Sequence, residues 1–161
     1  MYVDGKYVLS YTEGHQIFVS NDIDTTWTAY CLKSKHITKD FSTKKKKPGS
    51  IAESMKMFAE NPEYRVLIYD KYRNVYYRFA YPGIEVKPDD DVFKLGEFRR
   101  VFSVMIIDKD FNLIGETLMP ENTYNVNMFF VNEAGLWLST NHVDNPNFEE
   151  DAINFELFTL K

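Results

Sequence analysis

Apolar runs divide the chain into short strand-like segments separated by turn residues. Residues 66–69 (VLIY), 104–107 (VMII) and 128–131 (MFFV) are apolar at consecutive positions, which is typical of strands covered on both faces. In an antiparallel chain this predicts sheets stacked on sheets, as in a sandwich or in neighbouring propeller blades. By the same criteria, further strands are predicted at residues 7–11, 16–20, 26–33, 125–131, 135–140 and 153–160.

One segment departs from the strand pattern. Ser50 and Glu53 have the spacing of a helix capping box, and Ile51, Met55 and Phe58 share one helical face. The sequence Asn61-Pro62 stops a helix. A short helix is therefore predicted over residues 51–60.

The chain also contains an internal repeat. Residues 66–82 and 104–120 align without a gap at an offset of 38 and share six identical positions. Each copy predicts a hairpin with an Asp-Lys-x-x-Asn loop, in which Asp accepts backbone hydrogen bonds and Asn tolerates a left-handed conformation. We expect the loops at 70–74 and 108–112 to be superimposable and to lie in successive sheets.

A repeat of about 40 residues with strand-like content is typical of propeller blades. The predicted fold is therefore all-β and antiparallel, a partial β-propeller-like array of three to four blade units with one short helix. The chain is expected to form a single domain, 1–161, with blade-like repeats at roughly 1–47, 50–83 and 101–161.

Charge is unevenly distributed along the chain. The net charge is −5, but residues 33–47 carry seven lysines against Asp40, while residues 101–161 carry ten acids against two lysines. A basic segment can bind nucleic acid. The run Lys44–Lys47 has no arginine and leads into Pro48-Gly49-Ser50, so the favoured interpretation is a solvated loop without a nucleic-acid partner.

Composition excludes several classes of chemistry. The single Cys31 excludes an internal disulfide framework, and its neighbours favour a small buried side chain. No apolar stretch reaches the length of a transmembrane segment, and the first residues lack the order of a signal peptide. The three histidines lack metal-ligand spacing, and the oxygen-rich loop 141–151 lacks a calcium motif. No catalytic residue, metal or cofactor is predicted.

Residues 69–79 (YDKYRNVYYRF) resemble a known family. Tyr64 and the segments 106–111 (IIDKDF), 133–139 (EAGLWLS) and 154–158 (NFELF) add to the match. The chain is similar to the C-terminal part of TolB-like six-bladed β-propeller lipoproteins of gut anaerobes. The resemblance implies a cell-envelope location, in the periplasm or at the outer surface, and a binding or scaffolding role; it transfers no catalytic residue.

An aromatic and arginine cluster is the candidate ligand-binding site. Such side chains stack on sugars and peptides and are enriched at interfaces, although they fill the space between packed sheets equally well, and packing is favoured. The candidate residues are Tyr72, Arg73, Tyr76, Arg78 and Tyr81.

The predicted function is a non-enzymatic binding or scaffold module of the cell envelope, with an unknown protein or glycan ligand. The alternatives are an enzyme with its active site on a propeller face, or a truncated remnant without independent function. Apolar residues in the first and last strands, at 7–9, 17–19 and 155–160, predict exposed faces and hence a homodimer.

Overall fold

The computed structural model describes residues 1–41 and 47–160. These residues form eleven strands and two helices. The strands are β1 (Tyr2–Val3), β2 (Lys6–Ser10), β3 (Gln16–Ser20), β4 (Thr28–Cys31), β5 (Glu63–Asp70), β6 (Val75–Tyr81), β7 (Ser103–Asp108), β8 (Leu113–Leu118), β9 (Asn125–Val131), β10 (Leu136–Ser139) and β11 (Phe155–Phe158). The helices are α1 (Ile51–Glu60) and α2 (Val92–Glu97).

The strands form three sheets, and the pairings within them are antiparallel. Sheet A has the order β1-β2-β3-β4, sheet B the order β5-β6-β7-β8, and sheet C the order β11-β10-β9. Each is a meander in which strands adjacent in sequence are adjacent in the sheet. The predicted all-β antiparallel class is therefore confirmed.

The chain divides into two compact units. Unit 1 comprises Met1–Phe41, Pro62–Pro82 and Ser103–Thr117, and so contains sheets A and B except for the last residue of β8. Unit 2 comprises Ser42–Asn61, Gly83–Phe102 and Leu118–Lys161, and contains both helices and sheet C.

Sheets A and B share one hydrophobic core in unit 1. Val8 and Ile17 from sheet A lie in the same buried cluster as Met105 and Ile107 from sheet B. All seven residues of β6 are buried, because this central strand has neighbours on both edges and packed side chains on both faces. The expectation that strands 7–9 and 17–19 leave an exposed apolar face is therefore wrong for Val8, Ile17 and Val19.

The two repeated hairpins lie in one sheet and not in successive sheets. β6 pairs with β7 from Val75↔Asp108 to Ala80↔Ser103, so the hairpins are direct neighbours in sheet B. The expectation of successive sheets is wrong because the segment between the hairpins returns the chain to the edge of the sheet it has just left.

The two hairpin loops also differ in conformation. Asn74 takes the left-handed conformation in the first loop (φ 53°), as predicted, but Phe111 and not Asn112 takes it in the second (φ 62°). The Phe111 ring is buried and stacks on Tyr76, with ring centres 5.4 Å apart. Burial of an aromatic ring therefore outweighs the backbone preference for Asn at this position.

The predicted helix over 51–60 is confirmed as α1. The Ser50 side chain accepts a hydrogen bond from the Glu53 backbone N–H at 3.1 Å, and Glu53 in turn accepts from the Gly49 N–H at 2.6 Å. The second helix, α2, was not predicted. Asp91 caps it by accepting from the backbone N–H groups of Phe93 and Lys94 at 3.0 and 3.2 Å.

Other expectations have mixed outcomes. Cys31 is exposed and not buried, because successive side chains of a strand point to opposite faces and the preceding residue, Tyr30, packs on the core of unit 1. Lys44, Lys45 and Lys46 lie outside the described residues. Neither described helix has the length and apolar character needed to cross a membrane.

Candidate functional site

The five residues of the predicted aromatic and arginine cluster are placed differently from one another. Tyr76, Arg78 and Tyr81 are buried, whereas Tyr72 is 45% exposed. Arg73 folds back onto Asp70, with an Nη1 to Oδ2 distance of 2.9 Å. The cluster therefore does not form one accessible surface, and ligand binding by all five together stays a prediction.

Arg78 lies in a cage of neutral acceptors inside unit 1. Its side chain is fully buried, and its guanidinium is stacked over the Tyr64 ring at 3.6 Å. It donates to the Ser10 hydroxyl at 2.9 Å and to five backbone carbonyls at 3.0–3.3 Å. These carbonyls belong to Tyr11, Gly14, His15, Gln16 and Leu32.

The cage ties sheet B to the β2–β3 hairpin of sheet A. Burial lowers the pKa of Arg78 to about 10, which leaves the guanidinium charged at neutral pH. Because its donors are taken by the protein, Arg78 has a structural role: it supplies hydrogen bonds to the backbone carbonyls of the turn between β2 and β3.

Tyr64 extends this cage towards the surface. Its hydroxyl lies 2.8 Å from Nδ1 of His15 and accepts a hydrogen bond from the Ser34 backbone N–H at 2.9 Å. Burial, helped by the positive charges of Lys33 and Arg78, lowers the pKa of His15. A neutral His15 beside a charged Arg78 is the arrangement that this lowered pKa favours.

The candidate functional site is a cavity in unit 2 with a volume of about 620 Å³. Its walls are formed by the segment before α2, by α2 itself and by three loop segments. The lining residues are Lys87, Asp89, Asp90, Asp91, Lys94, Leu95, Arg100, Glu121, Asn122 and Asp144. Leu95 is the one apolar residue among them, so the cavity suits a hydrophilic ligand.

Two ion pairs shape the cavity. Arg100 donates to Asp90 at 2.8 Å, and Lys94 pairs with Asp144. A hydrogen bond from the Lys87 backbone N–H, together with the bond from Arg100, lowers the pKa of Asp90. These side chains are partly or fully exposed, so their pairing energy is small and a ligand can compete for them.

Three charged groups of the cavity have no partner. The carboxylates of Asp89 and Glu121 and the ammonium of Lys87 make no side-chain hydrogen bond or ion pair within the part of the chain that the structure describes. The cavity holds five carboxylates against three cations. Its electrostatics therefore favour a ligand that carries a positive charge.

A buried histidine supports one wall. His142 is 1% exposed, and its Nδ1 accepts a hydrogen bond from the Asp144 backbone N–H at 3.1 Å. Burial lowers the pKa of His142, which keeps Nδ1 available as an acceptor. His142 therefore acts as a positioning residue for Asp144.

No metal site is found among residues 1–41 and 47–160, which the structure describes. No group of three or more His, Cys, Asp or Glu side chains there is arranged to hold a metal ion.

Sequence reasoning missed most of this site. Asp144 falls in the oxygen-rich loop 141–151, but the other charged residues were not singled out. The available signal was the stretch 87–100 (KPDDDVFKLGEFRR), in which an acidic run caps a short apolar segment that is followed by basic residues. Tertiary contacts bring this stretch together with Glu121 and Asp144, and local sequence patterns do not predict such contacts.

The fold and site define an all-β protein of antiparallel meander sheets with a charged cavity. Residues 2–118 match the model of a domain of unknown function, DUF4221, so the chain belongs to the DUF4221 family.

A solved structure supports this membership. The chain is similar to a DUF4221 family member from Bacteroides vulgatus, with 32% sequence identity and a TM-score of 0.86. The match covers 98% of this chain and 43% of the other, so the chain spans less than half the length of that protein. A comparison with curated proteins finds no match.

Proposed function

We propose that the protein is a non-enzymatic binding module whose ligand occupies the charged cavity of unit 2. The observation that carries this proposal is the pair of unpartnered carboxylates, Asp89 and Glu121, in a cavity of about 620 Å³ with an excess of acidic groups. A carboxylate left without a partner is an acceptor ready for an ammonium or hydroxyl group.

The proposed ligand is a small hydrophilic molecule with an ammonium group. The ammonium would lie against Asp89 and Glu121, and Lys87 and Asn122 would hydrogen-bond the ligand's other polar groups. The cavity volume falls in the range of ordinary small-molecule sites. Ligand binding would therefore need no rearrangement of the sheets.

The test is an NMR titration of the ¹⁵N-labelled protein with glucosamine and with glucose. These probes differ in one group, an ammonium in place of a hydroxyl. We expect glucosamine to shift the amide signals of residues 87–95 and 121–122 saturably and glucose to shift them much less. Equal responses to the two sugars, or no response to glucosamine, would contradict the proposal.

Variants give the matched controls. Asp89→Asn with Glu121→Gln should weaken glucosamine binding by about tenfold or more, since charge-assisted hydrogen bonds contribute about 1.5–3 kcal/mol each. Glu150→Gln with Asp151→Asn removes the same charge from an exposed part of unit 2 outside the cavity. That control should retain binding.

The architecture proposed for the module is part of a propeller. Two four-stranded antiparallel meanders support this proposal, because a propeller blade is a sheet of this kind. The blade-like units, predicted from the repeat at 1–47, 50–83 and 101–161, would instead follow the sheets, at residues 2–31, 63–118 and 125–158, because both repeated hairpins lie in sheet B. The resemblance to propeller lipoproteins supports a cell-envelope location.

Self-association is a further part of the proposal. Leu157 and Leu160, near the C-terminal end, are 38% and 36% exposed, and Phe130 on the same sheet as Leu157 is 43% exposed. Such side chains could cover one another in a homodimer. Light scattering at micromolar concentration tests this: a mass near twice 19.0 kDa is expected, and a mass of 19.0 kDa would contradict it.

A further inference from the structure

A second, smaller cavity lies in unit 1 at one end of sheet A. Its volume is about 240 Å³. It lies where β2 begins, β3 ends and β4 begins, three points that an antiparallel meander brings to the same end of the sheet. Val19 is its one apolar lining residue, and the polar ones are Lys6, Ser20, Asn21, Thr26, Thr28 and Tyr30.

Strand register explains why these side chains converge. Val19 is paired with Val8 on one side and with Thr28 on the other, and directly paired residues lie on the same face. Lys6 and Tyr30 are two residues from Val8 and Thr28, and therefore share that face.

The loop from β3 to β4 is held in place by Ser20. Its buried hydroxyl donates to the backbone carbonyls of Asp22 and Thr26 at 2.6 and 3.0 Å, and accepts from the Asp22 N–H at 3.2 Å. The loop that carries Asn21 and Thr26 is therefore preorganised at the mouth of the pocket.

The remaining polar groups of the pocket are unoccupied donors. The Lys6 ammonium, the Asn21 amide and the hydroxyls of Thr26, Thr28 and Tyr30 have no hydrogen-bond partner among the residues that the structure describes. No carboxylate lines the pocket. This is the reverse of the unit 2 cavity, where carboxylates outnumber cations.

We propose that this pocket binds a tetrahedral oxyanion, a phosphate or sulfate group. One ammonium supplies the opposite charge, and three hydroxyls and an amide supply neutral donors around it. Asp22 and Asp24 belong to the same loop but not to the pocket lining, so no carboxylate competes with the anion for the lining donors. The volume exceeds that of the oxyanion, so the group can arrive free or attached to a small organic molecule.

The experiment is an NMR titration of the ¹⁵N-labelled chain with inorganic phosphate, with sulfate and with glucose 6-phosphate at constant ionic strength. We expect saturable shifts of the amide signals of residues 19–30. Lys6→Gln should weaken phosphate binding by about tenfold, and Thr28→Val should weaken it less. Lys33→Gln, an exposed lysine of the same unit outside the pocket, should leave it unchanged.

Each outcome either tests the oxyanion site or identifies where the oxyanion comes from. Tighter binding of glucose 6-phosphate than of inorganic phosphate identifies a phosphorylated organic ligand, and equal or weaker binding identifies the free anion; both support an oxyanion site. Absence of shifts at residues 19–30, or an equal loss of binding in Lys6→Gln and Lys33→Gln, overturns it. The amide spectrum of each variant reports its fold in the same experiment.

Discussion

The two units of the chain use charge in opposite ways. In unit 1 a single cation, Arg78, is fully buried and meets only neutral acceptors, namely backbone carbonyls, one hydroxyl and an aromatic ring. In unit 2 eight charged side chains surround an open cavity, and three of them make no side-chain hydrogen bond or ion pair with any residue that the structure describes. One charge is enclosed by its surroundings, whereas the others remain in contact with solvent.

This contrast distinguishes a charge that stabilises the fold from charges that are available to a ligand. A buried guanidinium that makes six hydrogen bonds cannot be removed without taking a donor from five backbone carbonyls and the Ser10 hydroxyl, so it is a determinant of stability. Exposed ion pairs contribute little to stability, so the charges around the cavity can serve a ligand. Substitutions in the two units should therefore have different consequences.

The largest expected effect is the loss of Arg78. Arg78→Met should lower the free energy of unfolding by about 3–5 kcal/mol, because the substitution removes six hydrogen bonds that a fully buried side chain makes between sheets A and B. Urea unfolding measures it, with Trp27 reporting unit 1 in a Trp137→Phe background. Arg65→Met is the control: this arginine lies in the preceding strand, 48% exposed and 4.0 Å from Glu63, and its loss should change stability by less than about 1 kcal/mol. Equal losses in the two variants would refute the structural role of Arg78.

The second largest effect is expected at Gly135 in unit 2. Its φ is +158°, and a Cβ added there would lie 2.2 Å from the Phe158 carbonyl oxygen. Gly135→Ala should destabilise unit 2 by about 2–4 kcal/mol because β10 and β11 must separate. Trp137 fluorescence during urea unfolding reports it. Gly5→Ala, at φ +80° with open space around the Cβ, should lower stability by only about 1 kcal/mol.

The local structure can be predicted from the sequence, but the contacts between elements cannot. Helix α1 could be predicted to the residue because Ser50, Glu53 and the Asn61-Pro62 stop are all local signals. The hairpin at Asp70–Asn74 is local in the same sense. The assignment of the two hairpins to one sheet depends on the path of residues 83–102, for which the repeat provides no information.

The candidate site shows the same limit. Arg78 stood out as part of an aromatic cluster, but its burial under the β2–β3 hairpin depends on residues more than 60 positions away. Glu121 and Asp144 join residues 87–100 only through folding. The periodicity of one segment does not predict that residues from distant segments will line the same cavity.

A smaller effect is expected from acid. Burial lowers the pKa of both His15 and His142 below the ordinary 6.5. Below pH 6.5 the unfolded chain therefore binds protons more readily than the folded chain. The free energy of unfolding is at its full value above this pH and falls as the pH drops through the lowered pKa values of the two histidines. The slope is at most about 1.4 kcal/mol per pH unit for each histidine.

Urea unfolding between about pH 7 and 5.5 measures this dependence. Trp27 reports the contribution of His15, and Trp137 that of His142. His142→Gln should flatten the pH dependence seen by Trp137 and leave that seen by Trp27 unchanged. An unchanged slope at Trp137 would contradict the assignment.

The smallest effect is expected from the lysine run. Replacement of Lys44, Lys45, Lys46 and Lys47 by Ser should change the free energy of unfolding by less than about 1 kcal/mol, because solvated charges contribute little. Urea unfolding tests this. A larger loss would show that the run has structural partners, and salt-dependent nucleic-acid binding that disappears in this variant would restore the nucleic-acid hypothesis.

The central claim is that the charges of the unit 2 cavity serve a ligand and not the fold. The most direct test is the melting temperature of the parent protein and of Asp89→Asn with Glu121→Gln, each with and without glucosamine. We expect equal melting temperatures without the sugar, and a rise with glucosamine in the parent alone, since a ligand stabilises only a state that binds it. A variant that melts several degrees lower without ligand, or that shows the same rise as the parent, would contradict the claim.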